Sequence, residues 1–268
     1  MRLVAQCPLV VAGMLVASAS LRAQEPAPIQ DNSFLVEEAY NQESGVVQHV
    51  STFARAEGGS WEYAFTQEWP LGGIRHQLSY TVPFLDAGAG TGLGDVAVNY
   101  RFQAAGGPAA SFVAAPRVGV MMPSGSETMG RGTGAVALEA SLPLSLVLGR
   151  RIVAHLNAGG TITPSAHGIG GTRATTTGVH LGASAVWLAR PNLNLLVESI
   201  WVSDEEVTGA GTTARVKQAF LNPGIRLAFN AGRVQVVPGV AYTIGIGPSS
   251  GSDALFVYLS LEHAFRGE

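Results

Sequence analysis

Two histidines lie beside groups that could take part in catalysis. His49 and Ser51 are two residues apart, and a serine nucleophile needs a histidine base within hydrogen-bond reach and an acid that orients the base. Alternate side chains of an extended strand share a face but lie about 7 Å apart along it, so this spacing alone does not bring the two groups together. His155 and Asn157 repeat the spacing without a serine motif beside them. We therefore expect no catalytic residues and no enzyme, and keep a lipid hydrolase as the weakest alternative.

The sequence has no pattern typical of a metal, cofactor or nucleic-acid site. Its 6 His residues are scattered, with no spacing that would hold zinc. Gly90 and Gly92 lack the strand-to-helix context of a nucleotide site, and the acidic run at 204–206 is typical of a solvated loop. The formal net charge is -3 and Lys217 is the only lysine, whereas a nucleic-acid-binding face is rich in basic residues. We expect no metal, no cofactor and no nucleic-acid partner.

The N-terminus is typical of an export signal. Arg2 precedes an apolar core at 9–17, which is too short for a membrane helix. Small residues follow, and we predict cleavage after Ala23, with the stretch 17–19 as the alternative. The only cysteine, Cys7, precedes the apolar core and is not at a lipoprotein position. Residues 1–23 are thus a predicted signal peptide, and the mature chain has no cysteine for a disulfide. Removing Arg2 and Arg22 changes the net charge from -3 to -3 - 2 = -5.

The rest of the chain alternates between apolar and polar side chains. Between Trp61 and Trp69 every odd position is aromatic except Gln67. Alternation also occurs at 74–84, 93–103 and 134–148. Successive side chains of a strand point to opposite faces, so a period of two predicts strands. The leucine-rich stretch 136–148 could be mistaken for a helix, but Pro143 and the strict alternation argue against one.

Continued along the chain, this period predicts twelve strands joined by connections of alternating length. The predicted strands are roughly 46–55, 61–69, 74–84, 93–103, 109–122, 134–148, 152–163, 174–189, 192–202, 214–229, 234–246 and 254–265. After the short first hairpin at 56–60, short turns at 70–73, 104–108, 149–151, 190–191 and 230–232 alternate with longer loops at 85–92, 123–133, 164–173, 203–213 and 247–253. An even strand count with short periplasmic turns and longer outer loops is the layout of an outer-membrane barrel.

The position of the large aromatic residues favours a barrel in lipid over a soluble sandwich, which is the alternative fold. Apolar residues make up 47% of the chain, yet after residue 20 no apolar run approaches the roughly 18 residues of a spanning helix. Lipid-facing strands carry aromatic residues at both interfaces. We predict such interface positions at the outer ends for Trp61, Phe84 and Trp201 and at the inner ends for Trp69, Phe102, Trp187, Phe229 and Phe265. The predicted fold is an all-β, closed antiparallel transmembrane β-barrel, because lipid offers no partner for an open sheet edge.

The opposite face of the strands carries charges of both signs and would line the lumen. Unpaired charges in a narrow space are costly, so we expect ion pairs across it. The same groups either fill the lumen structurally or form a polar path that selects solutes. The lumen-facing candidates are Glu62, Glu68, Arg75, Asp95, Arg101, Arg117, Glu139, Glu198 and Arg226.

Three blocks of sequence resemble a known family. DNSFLVEEAYNQESGVVQH at 31–49, GLGDVAVNYRF at 92–102 and PRVGVMMPSG at 116–125 are similar to barrels of the MetA-pathway of phenol degradation family. The resemblance extends over most of the mature chain and implies an outer-membrane barrel that passes small hydrophobic or aromatic compounds. It carries no site residues over. The chain departs from many barrels at its end, where Phe265 is followed by three further residues.

The sequence thus predicts a signal peptide at 1–23, an N-terminal periplasmic or lumenal segment at 24–45 and a transmembrane barrel at 46–268. The expected function is a porin-like channel or transporter for passive transport of small hydrophobic or aromatic compounds across a Gram-negative outer membrane. The alternative is a non-transporting barrel whose surface loops carry its function. The expected partners are outer-membrane lipid, the barrel-assembly machinery and small hydrophobic solutes.

Overall fold

A computed structural model describes residues 32–107 and 110–264. The predicted export signal, its cleavage site and Phe265 lie outside the described residues. In the part that is described, no helix is long and apolar enough to cross a membrane.

The described chain forms one sheet of fifteen strands, three of which are short. The short strands are β4 (Gly92–Leu93), β6 (Phe112–Ala114) and β13 (Phe229–Ala231). The long strands are β1 (Val46–Ala56), β2 (Trp61–Pro70), β3 (His76–Asp86), β5 (Val96–Phe102), β7 (Arg117–Met122), β8 (Ala137–Val147), β9 (Ile152–His167), β10 (Arg173–Arg190), β11 (Leu193–Gly209), β12 (Thr212–Leu227), β14 (Val234–Gly245) and β15 (Ala254–Ala264).

The sheet closes on itself through its first and last strands. Each long strand pairs antiparallel with the next, and β1 pairs with β15 from Val46 opposite Ala264 to Ala56 opposite Ala254. Twelve long strands therefore surround one lumen, which confirms the predicted closed antiparallel barrel. Closure gives each long strand a hydrogen-bonded neighbour on both sides, as a spanning sheet requires. We call the end with the β2–β3, β8–β9 and β10–β11 connections the turn end, and the opposite end the loop end; in outer-membrane barrels the turn end faces the periplasm.

Two parts of the predicted strand pattern are wrong. β9 to β12 have 16 to 18 residues each and continue through much of the predicted loops 164–173 and 203–213. The predicted strand 109–122 is divided into β6 and β7 at Ala115 and Pro116. Proline has no N–H for the ladder, so it is found at strand ends and irregularities. The connection between β5 and β6 is accordingly longer than the predicted turn 104–108.

The two faces of the wall have opposite chemistry. The outward face exposes aliphatic side chains from many strands, such as Leu138, Leu181, Val197 and Val257. The inward face buries polar ones, and Glu198 and Arg226 are each only 1% exposed. Apolar residues outside and polar residues inside are the pattern of a barrel whose outer wall meets hydrocarbon.

The aromatic residues that we predict at the membrane interfaces lie in the outward register wherever the structure describes them, but one of them, Trp201, is not at a strand end. Trp187 and Phe229 near the turn end are 49% and 52% exposed, and Phe84 near the loop end is 43% exposed. Trp201 is not at a strand end, because β11 continues to Gly209. Ser203 and Glu205 follow Trp201 on the same face of β11. Glu205 accepts hydrogen bonds from the Thr177 N–H and hydroxyl at 2.8 and 2.7 Å. The remaining outward aromatics are Trp61, Trp69 and Phe102, opposite Arg55, Leu78 and His76.

Candidate functional site

A stretch of chain without regular secondary structure runs inside the barrel. Residues 32–45, which we call the lumenal segment, form neither helix nor strand. Asn32, Val36, Ala39 and Gln42 in this segment are between 0% and 4% exposed. Backbone N–H groups of such a buried stretch need acceptors, and side chains of the barrel wall supply them.

Glu198 on β11 is the main acceptor for the start of the segment. Its Oε1 atom accepts hydrogen bonds from the backbone N–H groups of Phe34, Leu35 and Val36 at 3.1, 2.8 and 2.8 Å. The Oε2 atom accepts a further hydrogen bond from Asn222 Nδ2 at 2.7 Å. One buried carboxylate therefore holds three consecutive residues of the segment against the wall.

An aromatic cluster fixes the same end of the segment. The Phe34 ring packs against the inner face of β14 and β15, with its centroid 5.5 Å from that of Phe256 and 5.3 Å from that of Tyr258. The Arg226 guanidinium lies 5.1 Å from the centre of the Tyr258 ring and donates a hydrogen bond to the Asn32 carbonyl. Gly239 leaves the space for the Phe34 ring, because a Cβ atom at Gly239 would lie 2.6 Å from it.

Farther along, the segment is bound by β8 and β9. The Ala39 N–H donates to Ser145 Oγ at 2.8 Å, and that hydroxyl lies 2.8 Å from His155 Nδ1. Asn157 Oδ1 accepts from the Glu37 N–H at 2.7 Å, and its Nδ2 donates to the Glu37 carbonyl at 2.8 Å. Ser145 and His155 are both 0% exposed, so this serine–histidine contact supports the segment and does not face a substrate.

Two arginines connect the segment to the opposite wall. Arg101 donates to the carbonyl oxygens of Glu38 and Tyr40 at 2.9 and 2.6 Å, and lies 4.0 Å from Glu68. Arg117 forms an ion pair with Glu37 of the segment at 2.9 Å and a second one with Glu139 of the wall. These contacts bring together the charges of both signs that the sequence places on the inward face.

Three of the predicted lumen candidates lie toward the ends of the barrel. Arg75 precedes β3, which begins at His76, and its guanidinium lies 5.7 Å from the Phe102 ring, whose strand position faces outward. The prediction that Arg75 faces the lumen is therefore corrected, because its side chain lies outside the strand and reaches this outward ring. Asp95 is at the loop end, where it accepts from the backbone N–H groups of Gly125 and Thr133 at 2.9 and 2.8 Å and thereby anchors the loop 123–136. Glu62 has the inward register but is exposed at the loop end.

The segment divides the space inside the barrel into separate cavities. One of about 470 Å³ lies at the turn end and is lined by Tyr40, Ile74, Val147, Val153 and Leu188, among others. A cavity of about 260 Å³ lies toward the loop end, between Leu35 and Glu37 of the segment and the wall residues Glu139 and His180. A third, of about 230 Å³, separates residues 32–38 from β1, β2, β3 and β5.

The histidine–serine pair of the sequence is not brought together as a nucleophile and base. The Ser51 hydroxyl lies 3.2 Å from that of Tyr63, whereas His49 Nε2 lies 3.2 Å from His263 Nε2. Within residues 32–107 and 110–264, no group of three or more His, Cys, Asp or Glu side chains is arranged to hold a metal ion.

Solved structures of outer-membrane barrels are similar to this chain, although no family model and no curated protein sequence matches it. The COG4313 outer membrane channel from Pseudomonas putida F1 aligns with a TM-score of 0.64 and 14% identity, over 85% of this chain and 98% of that one. The NanC porin gives 0.56 and 7% over 80% and 98% of the two chains. The KdgM porin gives 0.51 and 7% over 82% and 99%.

The fold therefore belongs to the class of twelve-stranded outer-membrane barrels, and the structures it resembles are a channel and two porins. At these identities the likeness concerns the fold. The resemblance of three sequence blocks to the MetA-pathway of phenol degradation family stays a prediction.

Proposed function

We propose that this chain is a passive outer-membrane channel for small hydrophobic or aromatic compounds, with a path narrowed by the lumenal segment. The observation that carries the proposal is the set of cavities on both sides of the segment inside one closed barrel. After export with residues 1–23 as the signal, the barrel-assembly machinery would insert the chain among outer-membrane lipids.

The lining of the cavity at the turn end supports the choice of solute. Its volume of about 470 Å³ falls within the range of roughly 300–1,000 Å³ that is usual for small-molecule sites. Ile74, Val147, Val153 and Leu188 supply apolar surface, and Tyr40 supplies an aromatic ring. Ligand sites of this size are mostly apolar with a few polar groups that orient the ligand.

The second candidate function is a barrel that transports nothing and acts through its surface. It is favoured by the number of hydrogen bonds and ion pairs that hold the segment across the lumen. Glu198 alone binds three of its backbone N–H groups.

Ion conductance in planar bilayers distinguishes the two functions. The mature chain and a variant lacking residues 24–44 are each reconstituted and compared as single channels. If the chain is a channel, the intact barrel conducts ions, and its conductance rises when residues 24–44 are removed. A barrel with no conductance in either form is not a channel.

Transient block of that current tests the solute class. Phenol is added to one side of the intact channel, and arabinose is the polar control. The proposal expects concentration-dependent interruptions with phenol and far fewer with arabinose. Equal interruption by both would refute the hydrophobic preference while leaving the channel itself in place.

A further inference from the structure

Two histidines face each other on the outside of the barrel, where its first and last strands meet. His49 is near the start of β1 and His263 is near the end of β15, so both lie at the turn end. His49 is opposite Leu261, which belongs to the outward register. Their Nε2 atoms are 3.2 Å apart. The pair is separate from the lumen and from every contact of the lumenal segment described above.

The rings of this pair are oriented so that both Nε2 atoms point into the gap between them. The ring planes differ by 22° and the centroids are 5.3 Å apart, a separation much larger than that of the two Nε2 atoms. The imidazoles therefore meet edge to edge. The Phe65 ring, at 6.0 Å and 24° from that of His49, supports this orientation from the other side.

The second ring nitrogen of His263 fixes its tautomer. His263 Nδ1 lies 3.1 Å from the Ala264 carbonyl oxygen, so this nitrogen carries the proton and donates it to the carbonyl. The Nε2 atom of His263 then presents a lone pair to His49. Metal-binding histidines are held in the same way, with the distal N–H donated to a carbonyl or carboxylate.

We propose that His49 and His263 bind a divalent transition-metal ion of the copper–zinc type and that the ion joins β1 to β15. The coordinating nitrogen atoms of two imidazole ligands on a tetrahedral zinc ion lie about 3.3 Å apart, because each Zn–N distance is about 2.0–2.1 Å. The Nε2 atoms of His49 and His263 are 3.2 Å apart. Imidazole suits zinc and copper. On binding, His49 moves its Nε2 proton to Nδ1, so both ligands stay neutral and no net proton is released.

The described residues, 32–107 and 110–264, supply two protein ligands to the ion, because no cluster of three or more His, Cys, Asp or Glu lies at one site among them. Water completes its coordination. Divalent copper is expected to bind more tightly than zinc, following the general order of affinities. An ion bound only by the closed barrel stabilises that state by mass action, here at the pairing of β1 with β15 that closes the sheet.

Copper binding to the folded barrel tests the proposal directly. The mature barrel is purified in detergent without a histidine tag, stripped with a chelator and titrated with Cu²⁺, and electron paramagnetic resonance counts the coordinating nitrogens. We expect one Cu²⁺ per barrel with two nitrogen ligands. His49→Gln and His263→Gln should each lose this site. His76→Gln is the matched control, since His76 also lies at the turn end but pairs with the Tyr100 hydroxyl at 2.6 Å.

Unfolding with and without Zn²⁺ tests whether the ion stabilises the pairing of β1 with β15. Folded and unfolded barrels migrate differently on unboiled gels, which also shows that each variant has folded. Zn²⁺ should raise the unfolding midpoint of the intact barrel and of His76→Gln, and should leave His49→Gln and His263→Gln unchanged. The proposal is overturned if the intact barrel binds no equimolar copper, if both variants retain it, or if zinc has no effect on the midpoint.

Discussion

Replacing Glu198 should weaken the attachment of the lumenal segment and raise the conductance of the proposed channel. Its Oε1 atom is the acceptor for three backbone N–H groups at 2.8 to 3.1 Å. A hydrogen bond to a charged group contributes about 1.5–3 kcal/mol. At the lower end of that range, Glu198→Ala removes about 4.5 kcal/mol of segment binding, which corresponds to more than a thousandfold shift toward the released state at roughly 1.4 kcal/mol per factor of ten.

A graded series separates the role of the charge from the role of the acceptor. Glu198→Gln keeps one carbonyl oxygen, and a neutral hydrogen bond has about half the strength of a charge-assisted one. We therefore expect Glu198→Gln to lose about half as much binding energy as Glu198→Ala. Glu206→Ala is the control, because Glu206 is on the same strand and in the same inward register but is exposed above the lumen.

Single-channel conductance and limited proteolysis of the segment are measured for the series. Conductance and cleavage should both rise in the order intact barrel, Glu198→Gln, Glu198→Ala, with Glu206→Ala equal to the intact barrel. In a barrel that lacks residues 24–44, Glu198→Ala should change conductance little, because the two changes act on the same contact. If Glu198→Ala raised conductance equally with and without the segment, the carboxylate would act on the ions and not on the segment.

Three further changes test other parts of the structure. Gly239→Ala places a Cβ atom 2.6 Å from the Phe34 ring and should increase cleavage of the segment, whereas Gly58→Ala, with no atom within 4 Å of its Cβ, should not. Val197→Arg puts a charge on the outward face, where the Val197 side chain is 47% exposed. Near the bilayer centre such a charge costs about 2–4 kcal/mol, so the folding yield in lipid vesicles should fall. Val207→Arg, on the same face but beyond the membrane, is the control and should lower the yield less. In the loop 123–136, the hydrogen bond from its own backbone N–H and the contact with His167 hold the pKa of Glu127 below its usual range. The contact is present while the carboxylate is ionised and is lost as the pH falls through that lowered pKa. Cleavage of this loop by an acid-active protease should therefore rise below the usual glutamate range, and the rise should be smaller in Glu127→Gln, in which only the anchoring by Asp95 still depends on pH.

The barrel itself could be predicted because lipid imposes a simple pattern on each spanning strand. The alternation at 61–69 and 74–84 identified both the strands and their outward faces. The pattern fails where the wall extends beyond the membrane. Around Glu205 on β11 and Arg215 on β12 both faces of the wall meet water, so the polarity of the side chains no longer alternates. The sequence therefore predicts a loop where the structure continues both strands. Pro116 gave a visible signal for the break between β6 and β7, since a proline in a strand predicts an irregularity.

The candidate site was harder to predict because its partners are far apart in sequence. Glu198 meets Phe34, Leu35 and Val36 across more than 160 residues, and nothing in a local pattern predicts the path of a segment without regular structure. One contact did have a signal. The predicted turn 149–151 sets a register in which Ser145 is opposite His155, as the structure shows.

The lumenal segment would also give the proposed channel a preference for apolar solutes, although its barrel wall is polar inside. The wall groups that could bind a polar solute, such as Glu198, Ser145 and Arg101, already have partners in the backbone of residues 32–45. A polar solute that enters must break those contacts or lose hydrogen bonds to water without replacement, and an unmade buried hydrogen bond costs about 1–3 kcal/mol. An apolar solute gives up no hydrogen bonds and gains burial against Ile74, Val153 and Leu188 in the cavity at the turn end. Removing the segment should therefore raise the passage of polar solutes far more than that of apolar ones.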